Sequence, residues 1–348
     1  MHKLKLFIEP SSDAYYKNIY FDETNKYYNR DNCLGPNIFL KKKLDSLGIE
    51  VNTADYLLEQ ENENKIDSIY ISFGNRKNVE LVDGMNGTLL SAFFVFEPPV
   101  VAPELYRAIP YLAKKFKRVY VHTTEGELGK YIHGAKNVYK FYWPQSYNGV
   151  LEDHWGKTGR KHMILINANK KPRLNDNELY GKRIEALAYF AKYGEIDLYG
   201  FGWDKFNWYM PYIKYRKEIL KSYRGKVDSK YAALAEYKFC LCYENMFLSS
   251  YFTEKIFDCF LTGTIPIYLG ARDVEKYVYP ESFIDMRKYK NYDELRSYIN
   301  SLTDKDVERY RQAGREYMNS ELYKPFSKEH FAELIYNIVK EDTGEEGK

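Results

Sequence analysis

The residues best placed to do chemistry cluster in Phe239-Cys240-Leu241-Cys242-Tyr243-Glu244-Asn245, where an apolar run passes directly into polar side chains, and in Tyr251-Phe252-Thr253-Glu254-Lys255 just beyond it. The first run reads as a strand. The second opens a helix over 251–261, capped by Ser249 or Ser250, whose Ile256, Phe257, Phe260 and Leu261 form one apolar stripe. Glu244, Asn245, Glu254 and Lys255 are then left around a strand exit and a helix start. Free backbone N–H groups and the positive end of the helix dipole favour phosphate at such a place, and Lys255 adds a full charge. A solvated helix cap without a ligand is the alternative. A second candidate is Glu97, which follows Ala92-Phe93-Phe94-Val95-Phe96 and precedes Pro98 and Pro99, and so sits at a strand exit. A carboxylate partly desolvated there has its pKa raised towards the range in which it takes a proton from a hydroxyl. By its residues alone the segment reads better as a loop with a solvated glutamate.

Other signals carry less. Asp304-Lys305-Asp306 has the spacing of a divalent-metal site, but it follows Thr303 at a helix start, where capping explains it better. Gly200-Phe201-Gly202 is a fragment of a dinucleotide fingerprint without its third glycine and reads as a tight turn. His2, His122, His133, His154, His162 and His330 show no ligand spacing, so no zinc site is expected. Asn86-Gly87-Thr88 fits a glycosylation sequon and reads as a turn in the absence of a secretory signal. Cys33, Cys240, Cys242 and Cys259 do not form a disulfide framework; Cys240 and Cys242 share one strand face as small buried residues, and a reducing compartment is the expectation.

The elements that must position these residues follow from the pattern. Short runs rich in Ile, Val, Phe and Tyr alternate with helical stretches, as in parallel sheets connected by helices. Strands are expected at 4–8, 49–52, 68–73, 92–96, 118–122 and 138–143, with a helix over 103–117. Residues 145–161 combine turn formers and charges and read as a linker. The pattern then restarts, with strands at 163–167, 196–199, 239–243, 265–269 and 283–286 and helices at 178–192, 229–237, 251–261 and 292–302. Two further helices run to about 341, before a polar tail over 341–348.

At 348 residues, two domains are expected, 1–150 and 151–348, with the last helix able to pack back on the first. Facing doubly wound domains place a ligand cleft at the C-terminal ends of their strands. A net charge of only +3, with both signs interspersed, argues against nucleic acid. The 36 Tyr and 20 Phe suit stacking on sugar rings, or reflect a compositional bias. No stretch reaches the roughly 20 apolar residues that span a bilayer, so the chain reads as soluble or peripheral to a membrane.

From 225 to about 310 the sequence resembles the alpha-1,3-fucosyltransferases of glycosyltransferase family 10. The likeness runs through Lys238-Phe239-x-Leu241-Cys242-Tyr243-Glu244-Asn245 and Tyr251-Phe252-Thr253-Glu254-Lys255-Ile256, with the six-residue step from Asn245 to Tyr251 intact. It continues through Gly263-Thr264-Ile265-Pro266-Ile267-Tyr268-Leu269-Gly270 and Pro280-x-Ser282-Phe283-Ile284. Met246 departs from the Ser common in the family. The resemblance implies a GT-B fold of two Rossmann-like domains, inversion at the anomeric carbon, and GDP-fucose as donor. By position it implies that Lys255 meets the diphosphate and Glu254 the ribose, with Asn245 and Tyr251 lining the same pocket. Tyr180-Gly181-Lys182-Arg183-Ile184 looks like the family helix that bears a phosphate-binding arginine, and a guanidinium can hold two phosphate oxygens at once. Phe94-Val95-Phe96-Glu97-Pro98-Pro99 looks like the strand that delivers a catalytic glutamate, which turns the reading of Glu97 towards a general base.

The mechanism so implied is a single displacement in which Glu97 deprotonates an acceptor hydroxyl while Lys255 and Arg183 neutralise the departing GDP. No cofactor or divalent metal is expected, and the acceptor is an oligosaccharide or polysaccharide. The expected location is cytoplasmic, in a bacterial-type enzyme compatible with peripheral contact at a membrane. The alternatives are a GT-B enzyme using another nucleotide sugar and a non-catalytic glycan-binding protein.

Overall fold

The computed structural model describes residues 4–59, 68–132, 134–174 and 176–344. His2, His133 and residues 345–348 of the polar tail lie outside the described residues. The chain divides into two compact units, one of residues 1–146 and 324–348 and the other of residues 147–323.

The first unit is built on a six-stranded, all-parallel sheet: β1 (Lys5–Glu9), β2 (Glu50–Thr53), β3 (Ser68–Ser72), β4 (Thr88–Phe94), β5 (Arg118–Val121) and β6 (Val138–Lys140). The order is β2-β1-β3-β4-β5-β6, so the direction of winding reverses between β1 and β3. Its strands are apolar on both faces, as a sheet covered by helices on both sides requires. Two features depart from the sequence reading. The helix expected over 103–117 is two, Pro103–Arg107 and Ile109–Lys115. Pro110 has no N–H to offer the turn behind it and its ring crowds the carbonyl four residues back. A helix at Gly35–Ser46 was not anticipated; it opens on Gly35-Pro36 and buries Ile38, Leu40 and Leu44.

The first unit is completed by the helix Lys328–Thr343, which places Phe331, Ala332, Ile335, Ile338 and Val339 in the same core as Leu6, Ile8, Ile71 and Phe94. Its Asp342, with a fully buried side chain, takes hydrogen bonds from Lys117 and Arg118 at 3.0 Å each and from Ser91 at 2.5 Å.

The second unit carries β7 (Lys161–Ile166), β8 (Ile196–Tyr199), β9 (Tyr237–Tyr243), β10 (Ile265–Leu269) and β11 (Ile284–Asp285), all parallel, in the order β11-β10-β9-β7-β8. Winding reverses here between β7 and β9. Most of the stretch read as a linker belongs to this unit. It holds a helical turn at Glu152–Trp155, and Trp155 is buried under Arg311 and Arg315, 4.8 and 4.6 Å from its ring. Arg160, one of the charges that suggested a linker, donates to the carbonyls of His154, Trp155, Thr262 and Gly263.

Because Phe331 sits in the first unit's core, Phe331→Ala is expected to remove about 3–5 kcal/mol of that unit's stability. Urea unfolding of wild type and variant checks this.

Candidate functional site

The site forms where β9 leaves its sheet. Glu244 continues the ladder by one residue, its N–H donating to the Leu269 carbonyl at 2.8 Å, and its side chain turns inward and is fully buried. Thr253 holds one carboxylate oxygen through its N–H at 2.9 Å and the other through its hydroxyl at 2.8 Å. Lys255 adds a charged hydrogen bond at 3.1 Å and also donates to the Thr253 hydroxyl at 2.7 Å. Gly270 is required beside this knot: a Cβ there would lie 2.6 Å from the Glu244 side chain and 2.5 Å from the Tyr268 hydroxyl. Burial lowers the Lys255 pKa, but Glu244 and then Glu254 outweigh it, and the ammonium is held above its usual range.

This knot sets the helix start. The helix runs Glu254–Thr262 with Thr253 at the N-cap, not from 251 with a serine cap as expected. The Thr253 side chain is spent on Glu244 and makes no capping bond to the helix. Ser250 instead sits at φ 60° and gives its N–H and hydroxyl to Asp273, at 2.7 and 3.2 Å.

A second helix, Tyr180–Lys192, begins at the same strand exit. Its approach is fixed by backbone pairing: Leu179 N–H donates to the Asn245 carbonyl at 3.0 Å, and Phe247 N–H to the Asn177 carbonyl at 2.8 Å. Arg183, one turn in, is buried at 3% exposure and stacks 5.2 Å from the Tyr180 ring. One terminal nitrogen, Nη2, donates to the carbonyls of Tyr243 and Glu244 at 2.7 and 2.8 Å and to Asn245 Oδ1 at 3.3 Å. Its buried Nε has no hydrogen-bond partner among the described residues. Burial pushes the Arg183 pKa down, against the pull of Tyr180 and Glu244.

Arg183, Asn245, Tyr251, Glu254 and Lys255 thus all meet around one strand exit. They differ in access. Asn245, Glu254 and Lys255 are partly exposed, whereas Arg183 and Tyr251 are buried. Tyr251 lies close enough to Arg183 to act on it electrostatically, but has no face open to a nucleotide here. Burial raises the Glu254 pKa, yet Lys255 and Lys230 reverse this and hold its carboxyl down at about 2.

A cavity of about 80 Å³ opens beside β7 and β9, at the point where winding reverses, and Asn167, Lys230, Glu254, Lys255 and Asp258 are among its lining residues. This is where open α/β sheets bind ligands. Lys230 and Asp258 were missed in the sequence. They form an ion pair at 2.7 Å, and burial, opposed by Lys230, pushes the Asp258 carboxyl up to about 6. The signal was a lone acid inside the stripe Ile256, Phe257, Cys259, Phe260. Gly200 completes the wall: at φ 137° it lets the Asn167 carbonyl come where a Cβ would be only 1.9 Å away. The Gly200-Phe201-Gly202 segment is the tight turn expected of it.

In the first unit, Glu97 lies three residues beyond β4. Its side chain is exposed, so the partial desolvation expected of it is not present. The backbone before it is pinned, because the buried imidazole of His122 bonds the Phe96 carbonyl at 2.6 Å and stacks on Trp143. Burial pushes His122 down to about 4, so it is neutral at physiological pH. The buried carboxylate at a strand exit in this unit is Glu9. It ends β1 and accepts from Tyr16 at 2.6 Å, Asn78 at 2.9 Å, Tyr70 at 3.0 Å and Asn75 at 3.3 Å.

The Asp304–Asp306 segment is a capping box on Thr303, and no group of three His, Cys, Asp or Glu among the described residues is arranged to hold a metal ion. Also among the described residues, no helix is long and apolar enough to cross a membrane.

Two parallel-sheet α/β units of this kind make a GT-B fold. An α1,3-fucosyltransferase solved with GDP superposes over 97% of this chain and 90% of its own, with a TM-score of 0.53 and 17% identity. HepE from Anabaena, solved with UDP and glucose, does so over 98% and 100%, with a TM-score of 0.53 and 13% identity. Residues 161–330 match the model of the glycosyltransferase family 10 (fucosyltransferase) C-terminal domain. The Helicobacter pylori alpha-(1,3)-fucosyltransferase FucT is 45% identical over 76 residues, 22% of this chain and 16% of its own length. An Arabidopsis thaliana alpha-(1,4)-fucosyltransferase is 41% identical over 80 residues, 23% of this chain and 20% of its own. The matched stretch is therefore less than a quarter of either relative.

Lys255 is the counterion of a fully buried carboxylate. Lys255→Met is expected to destabilise the chain by about 3–5 kcal/mol, and Glu244→Gln added to it to restore much of that. Thermal and urea unfolding of the two single variants and the double measure the coupling.

Proposed function

We propose that the chain is an inverting fucosyltransferase that moves L-fucose from GDP-fucose to a hydroxyl of an oligosaccharide or polysaccharide, in alpha-1,3 linkage, without a divalent metal. The observation that carries the reading is the convergence of Arg183, Asn245 and Lys255 with two helix N-termini on one strand exit, in the part of the chain that matches family 10.

In this mechanism the acceptor hydroxyl attacks the fucose anomeric carbon as Glu97 takes its proton. The bond from that carbon to the diphosphate oxygen breaks, and its electron pair leaves with GDP. Lys255, the positive end of the Glu254–Thr262 helix and Arg183, whose Nε has no hydrogen-bond partner among the described residues, receive the growing charge. One displacement on one face inverts the carbon. Glu254 takes the ribose hydroxyls, and Asn245 holds Arg183 in place. Tyr251, being buried, acts by packing beneath Arg183. An exposed base such as Glu97 is desolvated by the bound acceptor itself.

Transfer in the cytoplasm fits the donor class and the four unpaired cysteines, of which Cys240, Cys242 and Cys259 are buried. The second reading is a GT-B enzyme using another nucleotide sugar, favoured by the equal TM-score of the neighbour solved with UDP and glucose. Calorimetry separates the two: GDP is expected to bind at least about tenfold more tightly than UDP, a difference of about 1.4 kcal/mol. Transfer from GDP-fucose is expected to persist in EDTA; loss in EDTA with rescue by manganese overturns the metal-independent step. Binding of GDP without transfer to any glycan on an array would favour a glycan-binding protein.

Glu97→Gln is expected to keep the fold and GDP affinity and to lose transfer by about 10²–10⁴. Near-normal turnover would move the base elsewhere. Glu244 would not be the substitute, since it is fully buried and saturated by Thr253 and Lys255.

A further inference from the structure

The second unit carries one segment that gives Trp203, Tyr212 and Ile219 to the core and leaves a set of large apolar side chains outside it. Between β8 and the Lys230–Ala235 helix, residues 201–226 place Phe201, Phe206, Trp208 and Met210 on the surface at 57, 54, 80 and 70% exposure. Ile213 and Leu220 are exposed beside them. The rings are not scattered. Phe206 packs edge-on to Trp208 at 4.9 Å and to the buried Tyr212 at 6.3 Å, so a rigid base presents them. Tyr212 is itself tied to the carbonyls of Trp203 and Lys205. Two short helices, Met210–Lys214 and Arg216–Ser222, follow at once.

The same residues hold a concentration of positive charge. Lys205, Lys214, Arg216, Lys217, Lys221, Arg224 and Lys226 face only Asp204 and Glu218 as acids within the segment, an excess larger than the net +3 of the whole chain. Lys205 and Lys226 lie over the Phe201 ring at 5.2 and 4.9 Å, and Lys214 over Tyr215 at 4.8 Å. Apolar and aromatic tips ringed by flexible cations are what a surface needs to enter the headgroup layer of a bilayer. Trp and Phe settle at the interface, Met and Ile reach the acyl boundary, and lysines remain with the phosphates.

We propose that residues 201–226 form a docking surface for an anionic lipid bilayer. A protein partner or a second copy would match the apolar tips but would not call for this excess of basic side chains around them, and the charge complementarity selects the membrane. The inference does not depend on the identity of the sugar donor. It gives the enzyme's acceptor a chemical class as well: a glycan presented at a membrane surface.

The test is partition of the full chain onto vesicles of phosphatidylcholine, with and without phosphatidylglycerol. Trp208 supplies the emission signal, Trp155 and Trp203 being buried and Trp143 half-buried, and cosedimentation with the vesicles measures partition of the variants. Binding to the anionic vesicles is expected to be at least tenfold tighter, to weaken with salt, and to move Trp208 emission to the blue. Trp208→Ser with Met210→Ser is expected to weaken binding at least tenfold. Lys214→Glu with Lys217→Glu is expected to remove the preference for anionic lipid, each basic group near such a surface being worth about fivefold. Circular dichroism and melting temperature confirm that the variants fold. Equal partition of wild type and Trp208→Ser, Met210→Ser, or no preference for anionic vesicles, overturns the proposal. So does a dimer in sedimentation velocity that this variant abolishes, which would give the patch to a second copy of the chain.

Discussion

A single buried carboxylate organises the second unit's ligand end. Taking Glu244 out of water costs several kcal/mol, and the loss is offset only if its oxygens are fully occupied and a cation stands beside it. Thr253 and Lys255 meet that demand, and in doing so they fix where the next helix begins and hold an ammonium at its mouth. Gly270 makes room for the same carboxylate, and Arg183 ties down the carbonyls on either side of the strand's last step. The positive charge at this strand exit is thus a by-product of neutralising Glu244. A fully buried residue dictates which groups stand at the surface around it.

The first unit contains a contrasting pair. Glu9 ends β1 and Glu97 follows β4, but only Glu97 stood out in the sequence as an acid at a strand exit. Glu9 is sealed by the hydroxyls of Tyr16 and Tyr70 and the amide of Asn78, and burial raises its pKa. Glu97 stands in solvent, behind a backbone that His122 anchors. The sealed acid shapes its loops, and the exposed one stays at the surface.

The pattern of residues reached the architecture because it is periodic and local. All eleven strands fall within a few residues of the expected positions, since apolar runs in buried parallel sheets are continuous and bounded by turns. Helix boundaries were less legible. Pro110 split one helix, and Glu244 claimed the side chain of Thr253 and moved the start of another. The cluster of Arg183, Asn245, Glu254 and Lys255 could be assembled from motif spacing. Which of its members are reachable could not, because burial of Arg183 and Tyr251 depends on loops that pair 62 or more residues apart in sequence, as Arg183 and Asn245 do. Lys230 and Asp258 were invisible for the same reason: an acid in an apolar stripe announces a partner without saying which lysine it is.

The division of the chain also orders its making. Strands β1 to β6 leave the ribosome first, yet the core they share stays open until Phe331, Ile335 and Val339 have been synthesised. Residues 147–323 have no such debt to a later segment and are complete before that helix appears. The second half of the polypeptide can therefore mature while the first half waits, with the apolar face that will receive the helix still exposed. During translation that waiting face is the surface a chaperone has reason to cover.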